Sequence, residues 1–240
     1  ETLARLDTAR RRWLAEVSHE LRTPLAAMRG ELEALADGVR PLTLDAIASV
    51  NDEALSLSRL VEDLHFIALS ELATPPTRFA PADAVALCRQ AIARFADRAA
   101  AQGIKLGFDR NGHDALPVLW DGQRIEQLLA NALTNSLRYT DAPGKILITL
   151  AIAGTGDAAT VSLTIDDTAP GVPDALLDQL FEPLYRLDAA RDRASGGAGL
   201  GLAVSEAIVR AHRGTIVAEG SPLGGLRLIV TLPAMAGAAA

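Results

Sequence analysis

The chain reads as an α+β protein in two parts, a helical hairpin followed by a two-layer α/β sandwich with a mixed sheet and helices on one face. Three observations predict this. Residues 1–72 carry apolar side chains almost wholly in steps of three and four, the period of amphipathic helices. Residues 70–81 (SELATPPTRFAP) break that period with three prolines. Beyond them, short alternating stretches typical of strands mix with helical ones, and the last two strands close as a hairpin.

The first helix runs to about Ala36, with a stripe of Leu14, Val17, Leu21, Leu25, Met28, Leu32 and Leu35. Residues 1–10 are helical in propensity, and Arg10, Arg11 and Arg12 read as a solvated face. Gly38 and Pro41 supply a stop and a turn, and Thr43 is a fair N-cap for the second helix. That helix repeats the pattern with Leu44, Ile47, Val50, Ala54, Leu57, Val61, Leu64 and Ile67. Two helices cannot enclose both stripes. Pairing two hairpins into a four-helix bundle does so, which predicts a homodimer. The alternative is that the hairpin packs on its own second domain.

After the linker, helices are expected near Ala82–Gln102, Gly122–Tyr139, Asp174–Leu180 and Leu200–Ala211. Strands are expected near Ile104–Asp109, Pro117–Trp120, Lys145–Ala153, Thr160–Asp166, Thr215–Glu219 and Leu226–Leu232, with Gly224-Gly225 as the turn between the last two. The boundaries are then 1–72 for the hairpin, 73–81 for the linker, 82–233 for the second domain and 234–240 for a disordered tail.

Bulk composition narrows the function. A 240-residue chain that is 49% hydrophobic folds, and a net charge of −7 argues against a nucleic-acid partner. A single cysteine, Cys88, excludes an intrachain disulfide framework and reads as a core filler. No apolar run of about 18 residues is present, so no membrane segment is expected. The chain opens at Glu1 without an initiator methionine, and is expected to be a fragment of something longer.

Five stretches carry candidate chemistry. In SHELRTPL (18–25), His19 lies two positions from both Val17 and Leu21, so at about 100° per residue it points away from the buried stripe. Thr23, four residues on, shares its face, and Pro24 removes a helical hydrogen bond within a turn of it, where a kink is expected. An exposed imidazole beside the carboxylate of Glu20 is a plausible nucleophile, although most surface histidines are merely solvated. In NALTNSLRY (131–139), Asn131, Asn135 and Arg138 share one helical face. Amide oxygens there suit Mg²⁺ and a cation one turn on suits phosphate, but two surface asparagines alone carry little weight. Asp166-Asp167-Thr168-Ala169-Pro170-Gly171 ends a predicted strand, where a carboxylate could accept from an amine or merely close a turn. GGAGLGL (196–202) opens a helix, a place where backbone N–H groups meet anions. Gly224-Gly225 is explicable as a turn alone.

Together these stretches resemble a known family. SHELRTPL resembles the phospho-acceptor box of the sensor histidine kinases. The later stretches resemble, in order, the N, G1, G2 and G3 boxes of the GHKL ATP-binding fold, with FEPLYR (181–186) similar to its F box. The resemblance covers residues 10–72 and 79–233, and the sequence around RASGGAGLGL is similar to membrane sensor kinases of the envelope-stress kind. One departure stands out: Ala169 replaces the first glycine of Asp-x-Gly-x-Gly. It adds a methyl and is tolerable unless that position requires positive φ.

The resemblance implies the cytoplasmic kinase core of an inner-membrane sensor protein. ATP·Mg²⁺ would lie under a lid from Pro183 to Gly197. Asp167 would accept from the adenine amine in a pocket shaped by Ala169 and Gly171. Asn135 would bind Mg²⁺, Asn131 would lie beside it, Arg138 would contact phosphate and Tyr139 would flank the nucleotide or pack in the core. The amides of Gly197, Gly199, Leu200 and Gly201 would cradle phosphates. His19 would attack the γ-phosphorus, with Glu20 as base or orienting group. An aspartate on the receiver domain of a response regulator would take the phosphoryl group, and Thr23 would orient water in the reverse, phosphatase direction. Two other functions remain open at this point. One is a degenerate kinase acting as a dimeric scaffold. The other is a GHKL clamp ATPase, which has no use for SHELRTPL and wants a glutamate where Asn131 stands. His65, His113 and His212 compete with none of this and are most simply structural or solvated; His212 ends a helix, where a cation suits the dipole. Trp13 and Trp120 are expected to be packing residues.

Overall fold

A computed structural model describes residues 2–72, 77–187 and 198–235, with side chains outside the description over 2–16, 71–72 and at Asp157. Helices α1 (Thr2–Ala36) and α2 (Leu44–Leu72) form the hairpin, and α1 runs through Pro24. Thr43 caps α2 as expected, its Oγ1 accepting from Ala46 N at 3.2 Å. Arg40 in the turn reaches back to Glu31 at 2.9 Å. The Arg10–Arg12 run and Trp13 have side chains outside the described residues.

The second part begins earlier than the proline count suggests. Residues 73–76 of the expected linker lie outside the described residues, but Ala80–Asp83 is a strand, β1, paired antiparallel with β3 (Pro117–Trp120). Pro81 is accommodated because a two-stranded ribbon has an edge where no N–H is needed. Helix α3 (Ala84–Ala101) follows directly, with Asp83 as N-cap to Val85 N at 2.9 Å.

The main sheet has strand order β2-β4-β5-β7-β6 over Ile104–Asp109, Gly144–Ala153, Thr160–Thr168, Gly224–Pro233 and Thr215–Gly220. Only β2 and β4 are parallel. Ile146, Ile148 and Leu150 are buried on β4, Val161, Leu163 and Ile165 on β5, and Leu228, Val230 and Leu232 on β7. Their strand neighbours, Thr149, Thr164 and Ile229 among them, are only half-buried. One face of the sheet is therefore covered, by α3, α4 (Gly122–Tyr139) and α5 (Gly201–Ala211). The helix expected near Asp174–Leu180 is two 3₁₀ turns, Asp174–Leu176 and Asp178–Phe181.

Three details correct expectation. Ala234, assigned to the tail, is buried and locked by Ala234 N to Ala159 O and Leu119 N to Ala234 O, both 2.8 Å. Residues 236–240 lie outside the described residues. His212 is structural and not a helix-end cation: it is fully buried, Nδ1 bonds the Ile208 carbonyl at 2.8 Å, and Nε2 accepts from Asp121 N at 3.1 Å. That pattern fits the neutral ring with the proton on Nδ1, and burial holds its pKa below the usual histidine value. Gly225 belongs to β7, so the hairpin turn is Ser221–Gly224, closed by Gly224 N to Ser221 O at 2.9 Å. Cys88 and Trp120 are core residues: burial pushes the Cys88 thiol up to about 12, and Trp120 Nε1 donates to Pro233 O at 2.7 Å.

The hairpin also docks on the second part. Leu60, Leu64, Phe66 and Ile67 are buried, and α2 packs on α5. Gln127 of α4 donates to Asp63 at 2.9 Å, and the Arg124 guanidinium lies 4.2 Å over the Phe66 ring. Burial and the neighbouring Glu62 push the Asp63 carboxyl up to about 6. Docking leaves much of the stripe uncovered: Leu25, Leu32, Ile47 and Val61 remain exposed, as does Leu55 beside it. Of the two uses weighed for the apolar stripe, packing on the second domain is therefore seen for the end of α2, and the rest of the stripe stays exposed.

Candidate active site

The site is built around α4. Its buried side carries Ile125, Leu128, Leu129, Ala132, Leu133 and Leu137, which fixes the helix on the sheet and directs Asn131 and Asn135 outward. Asp121 caps it, accepting from Arg124 N at 3.2 Å. Asn131 Nδ2 donates to Gly201 O at 3.0 Å, tying α4 to the first residue of α5. Ser136, a residue missed in the sequence, bonds the Asp167 carboxylate. One helix therefore touches both the glycine loop and the end of β5.

Asp167 is 4% exposed. Its Oδ1 accepts from Leu226 N at 2.6 Å. Burial, the largest influence, pushes its carboxyl up to about 6 against the two hydrogen bonds that favour the charged form. A Cβ on Gly225 would overlap Asp167 Oδ1, so glycine there is dictated by the carboxylate. Gly171 packs on the same turn, where a Cβ would stand 3.2 Å from Gly224 O. Ala169 does not adopt positive φ, so the missing glycine costs the loop nothing on that score, and its carbonyl accepts from Asp141 N at 3.1 Å.

At the other end, Gly199 has φ +71° and Leu200 is buried as the residue before α5. Among the described residues no side chain caps α5, and the first-turn N–H groups of such a helix suit an anion. Gly197 lies outside the described residues, as does the rest of 188–197, most of the segment from Pro183 to Gly197 expected as a lid. Asn135 is half-exposed, and its side chain makes no hydrogen bond among the described residues. Arg138 lies 5.5 Å from the centre of the half-buried Tyr139 ring.

His19 and Thr23 are exposed on α1, and Thr23 Oγ1 donates to the His19 carbonyl at 3.2 Å. Glu20 lies 3.6 Å from Arg186, a residue of the FEPLYR stretch. The SHELRTPL stretch and the second domain thus meet beside His19. The pairing joins residues 166 positions apart, so no local pattern announces it.

The donor set fits a nucleotide with Mg²⁺. An uncapped helix start suits phosphates, a buried acceptor suits an amine, and a single amide oxygen suits a cation that takes its other ligands from phosphate and water. Among the described residues, no group of three or more His, Cys, Asp or Glu could hold a metal by itself.

A helical hairpin bearing an exposed histidine, joined to a nucleotide-type α/β sandwich, defines a phosphotransfer class. The His Kinase A (phospho-acceptor) family matches residues 9–71, and the histidine kinase-, DNA gyrase B- and HSP90-like ATPase family matches 120–236. The chain belongs to the sensor histidine kinases. It is 47% identical over 232 residues to the signal transduction histidine-protein kinase BaeS of Escherichia coli K12, covering 97% of this chain and 48% of that protein. The Acinetobacter baumannii histidine kinase AdeS has a similar structure, with TM-score 0.71, 29% identity, and coverage of 90% of this chain and 98% of that one. Full-length ShkA in complex with AMPPNP aligns with TM-score 0.66 at 28% identity, over 95% of this chain and 47% of that one. The chain spans about half the length of the curated relatives BaeS and CpxA.

Proposed function

We propose that this chain is the kinase core of a two-component sensor: it phosphorylates His19 from ATP and passes the phosphoryl group to an aspartate on a response-regulator receiver domain. The observation that carries this reading is the α4 face, which joins Asp167 through Ser136 to the start of α5 through Asn131. Asp167 accepts the adenine amine, with Ala169 and Gly171 forming the adjoining turn. The first-turn amides of α5, with Gly197, Gly199, Leu200 and Gly201, receive phosphate oxygens, and Arg138 adds charge. Asn135, with Asn131 near it, would hold Mg²⁺, which when bound would supply charge neutralisation for the phosphates. That ShkA was crystallised with AMPPNP supports ATP as the nucleotide.

A His19 imidazole nitrogen attacks the γ-phosphorus in line, the bond to the β-phosphate oxygen breaks, and ADP leaves. Glu20 takes up or orients the imidazole proton, and Arg186 fixes Glu20 from the second domain. Two hairpins pair through the exposed stripe. Residues 1–72 serve dimerisation and phosphotransfer and 82–233 catalysis, with β1 attached to the latter. The core works on the cytoplasmic side of the inner membrane within a longer sensor protein. No helix among the described residues is long and apolar enough to cross a membrane.

The test is incubation with γ-³²P-ATP and Mg²⁺, wild type against His19→Gln. Acid-labile, alkali-stable label absent from the variant is expected. Absence of label with ATP still bound points to a scaffold, and free phosphate from both proteins points to a clamp ATPase.

A further inference from the structure

Asp166 stands beside Asp167 on β5, so strand alternation sends the two carboxylates to opposite faces of the sheet. Asp167 faces the site; Asp166 does not. Yet Asp166 is equally buried, at 3% exposed, and its partners are all on the β6–β7 hairpin. Arg227 grips it with both edges of the guanidinium, Nε to Oδ1 at 2.8 Å and Nη2 to Oδ2 at 2.9 Å. Ser221 Oγ donates to Oδ1 at 2.8 Å and accepts from Leu223 N at 3.1 Å.

Between these two anchors the β5–β7 pairing slips. It passes from Asp166 opposite Arg227 to Thr168 opposite Gly224, so Asp167 alone faces both Gly225 and Leu226. That is a β-bulge, with the extra residue on β7. The bulge supplies the two features that shape the Asp167 carboxylate: the Leu226 N–H that bonds it and the bare Cα of Gly225 that makes room for it. Within the bulge, Leu226 N to Asp167 Oδ1 at 2.6 Å and Ser221 N to Gly225 O at 2.9 Å hold the strand against realignment by one residue. Asp166 does so from outside, since one carboxylate ties Ser221 in the turn and Arg227 where regular pairing resumes.

We infer that Asp166, with Arg227 and Ser221, is a positioning clamp that sets Asp167 for recognition of the adenine amine, from the opposite face of the sheet and without touching nucleotide. The inference rests on the assignment of Asp167 proposed above. A charge-assisted bidentate pair has the directionality this role needs. A neutral hydrogen bond would leave the register freer to slide.

The amine contact is isolated by comparing ATP with purine riboside triphosphate, which lacks that amine but keeps ring, ribose and phosphates. Affinities are read by displacement of a fluorescent ATP analogue from the whole chain. Wild type is expected to prefer ATP by about tenfold, the worth of one hydrogen bond to a charged acceptor. In Asp166→Ala and Arg227→Met the preference falls to about twofold or less, while purine riboside triphosphate binds as before. Ser221→Ala, which releases one anchor only and is the variant least able to unfold the domain, gives an intermediate ratio. An unchanged ratio in all three overturns the clamp, whether the separate affinities hold or fall together. Asp167→Asn separates the two claims. If it leaves the ratio intact, the assignment of Asp167 is wrong; if it collapses the ratio and the other three do not, the clamp alone is wrong.

Discussion

Leu184 donates its backbone N–H to the carbonyl of Gly199 at 3.0 Å, and both residues lie in the left-handed region, at φ +68° and +71°. For glycine that conformation is free; for leucine it costs about 1–2 kcal/mol. The strain sits where the FEPLYR stretch meets the glycine loop, two residues before the Arg186 that reaches Glu20. Strained backbone of this kind persists only where its surroundings impose it.

Gly199→Ala should therefore damage the site. A Cβ there stands 3.0 Å from both Leu184 C and Tyr185 O, backbone atoms that cannot swing aside. With the positive φ added, the expected cost is about 2–3 kcal/mol. A thermal melt should show Tm lower by about 4–12 °C. ATP affinity should fall at least tenfold. A variant that binds ATP normally would show that the approach of Leu184 to Gly199 is incidental to the site.

Burial of Asp167 gives a pH dependence whose sign is fixed. Its carboxyl ionises at about 6 when folded and near 3.8 when unfolded. Below the unfolded value both states hold the proton; from about pH 4 to 6 the unfolded state has lost it and the folded state keeps it. This group's contribution to stability is thus greatest in acid and falls as pH rises to about 6, by at most about 3 kcal/mol. An amine donor favours the ionised form, so adenine nucleotides should bind more tightly as pH rises from 5 to 7. Dissociation constants at those two values, taken as a ratio to Asp167→Asn, cancel the titration of the nucleotide's own phosphates. The ratio should change by about tenfold. A flat ratio would mean that no donor of the nucleotide reaches this carboxylate.

The exposed stripe on the hairpin predicts the assembly. Leu25, Leu32, Ile47, Leu55 and Val61 are 48–56% exposed, and covering each contributes about 1 kcal/mol. Wild type should sediment at twice the 25.2 kDa chain mass. Leu32→Arg with Leu55→Arg should give monomers that still bind ATP, since neither position touches the second domain's core. Dimers of the double variant would place the interface elsewhere.

How much of this was legible in the sequence follows from where each signal lies. Helix α4 was readable to the residue because its apolar face repeats every turn and Asp121 and Tyr139 bracket it. The Thr43 cap was readable for the same local reason. Gly225 was not: its necessity comes from a carboxylate 58 positions earlier, brought opposite by a bulge. His212 looked like a helix-end cation because its partner, Asp121 N, lies 91 residues away. The docking of Phe66 and Asp63 on α4 was hidden by an amphipathic stripe that serves two surfaces. Periodicity says that a face is buried and is silent about what buries it.

Thr23 gives the last prediction. Its hydroxyl proton is directed to the His19 carbonyl at 3.2 Å, one of the helix carbonyls beside the turn that Pro24 disturbs. With the proton so engaged, the oxygen lone pairs point to solvent on the face that His19 shares, and they can accept from a water O–H. On the proposed function, a water held there would attack a phosphoaspartate docked against His19 and would have no part in attack by His19 on ATP. Thr23→Ala should keep autophosphorylation within about twofold and slow regulator dephosphorylation by about 10- to 100-fold, the usual worth of one positioning contact. Thr23→Ser, which keeps the hydroxyl, should retain most of the activity. Both rates can be followed with a response regulator loaded from acetyl phosphate. Equal dephosphorylation by wild type and Thr23→Ala would remove Thr23 from the reaction and leave its hydroxyl as a helix brace.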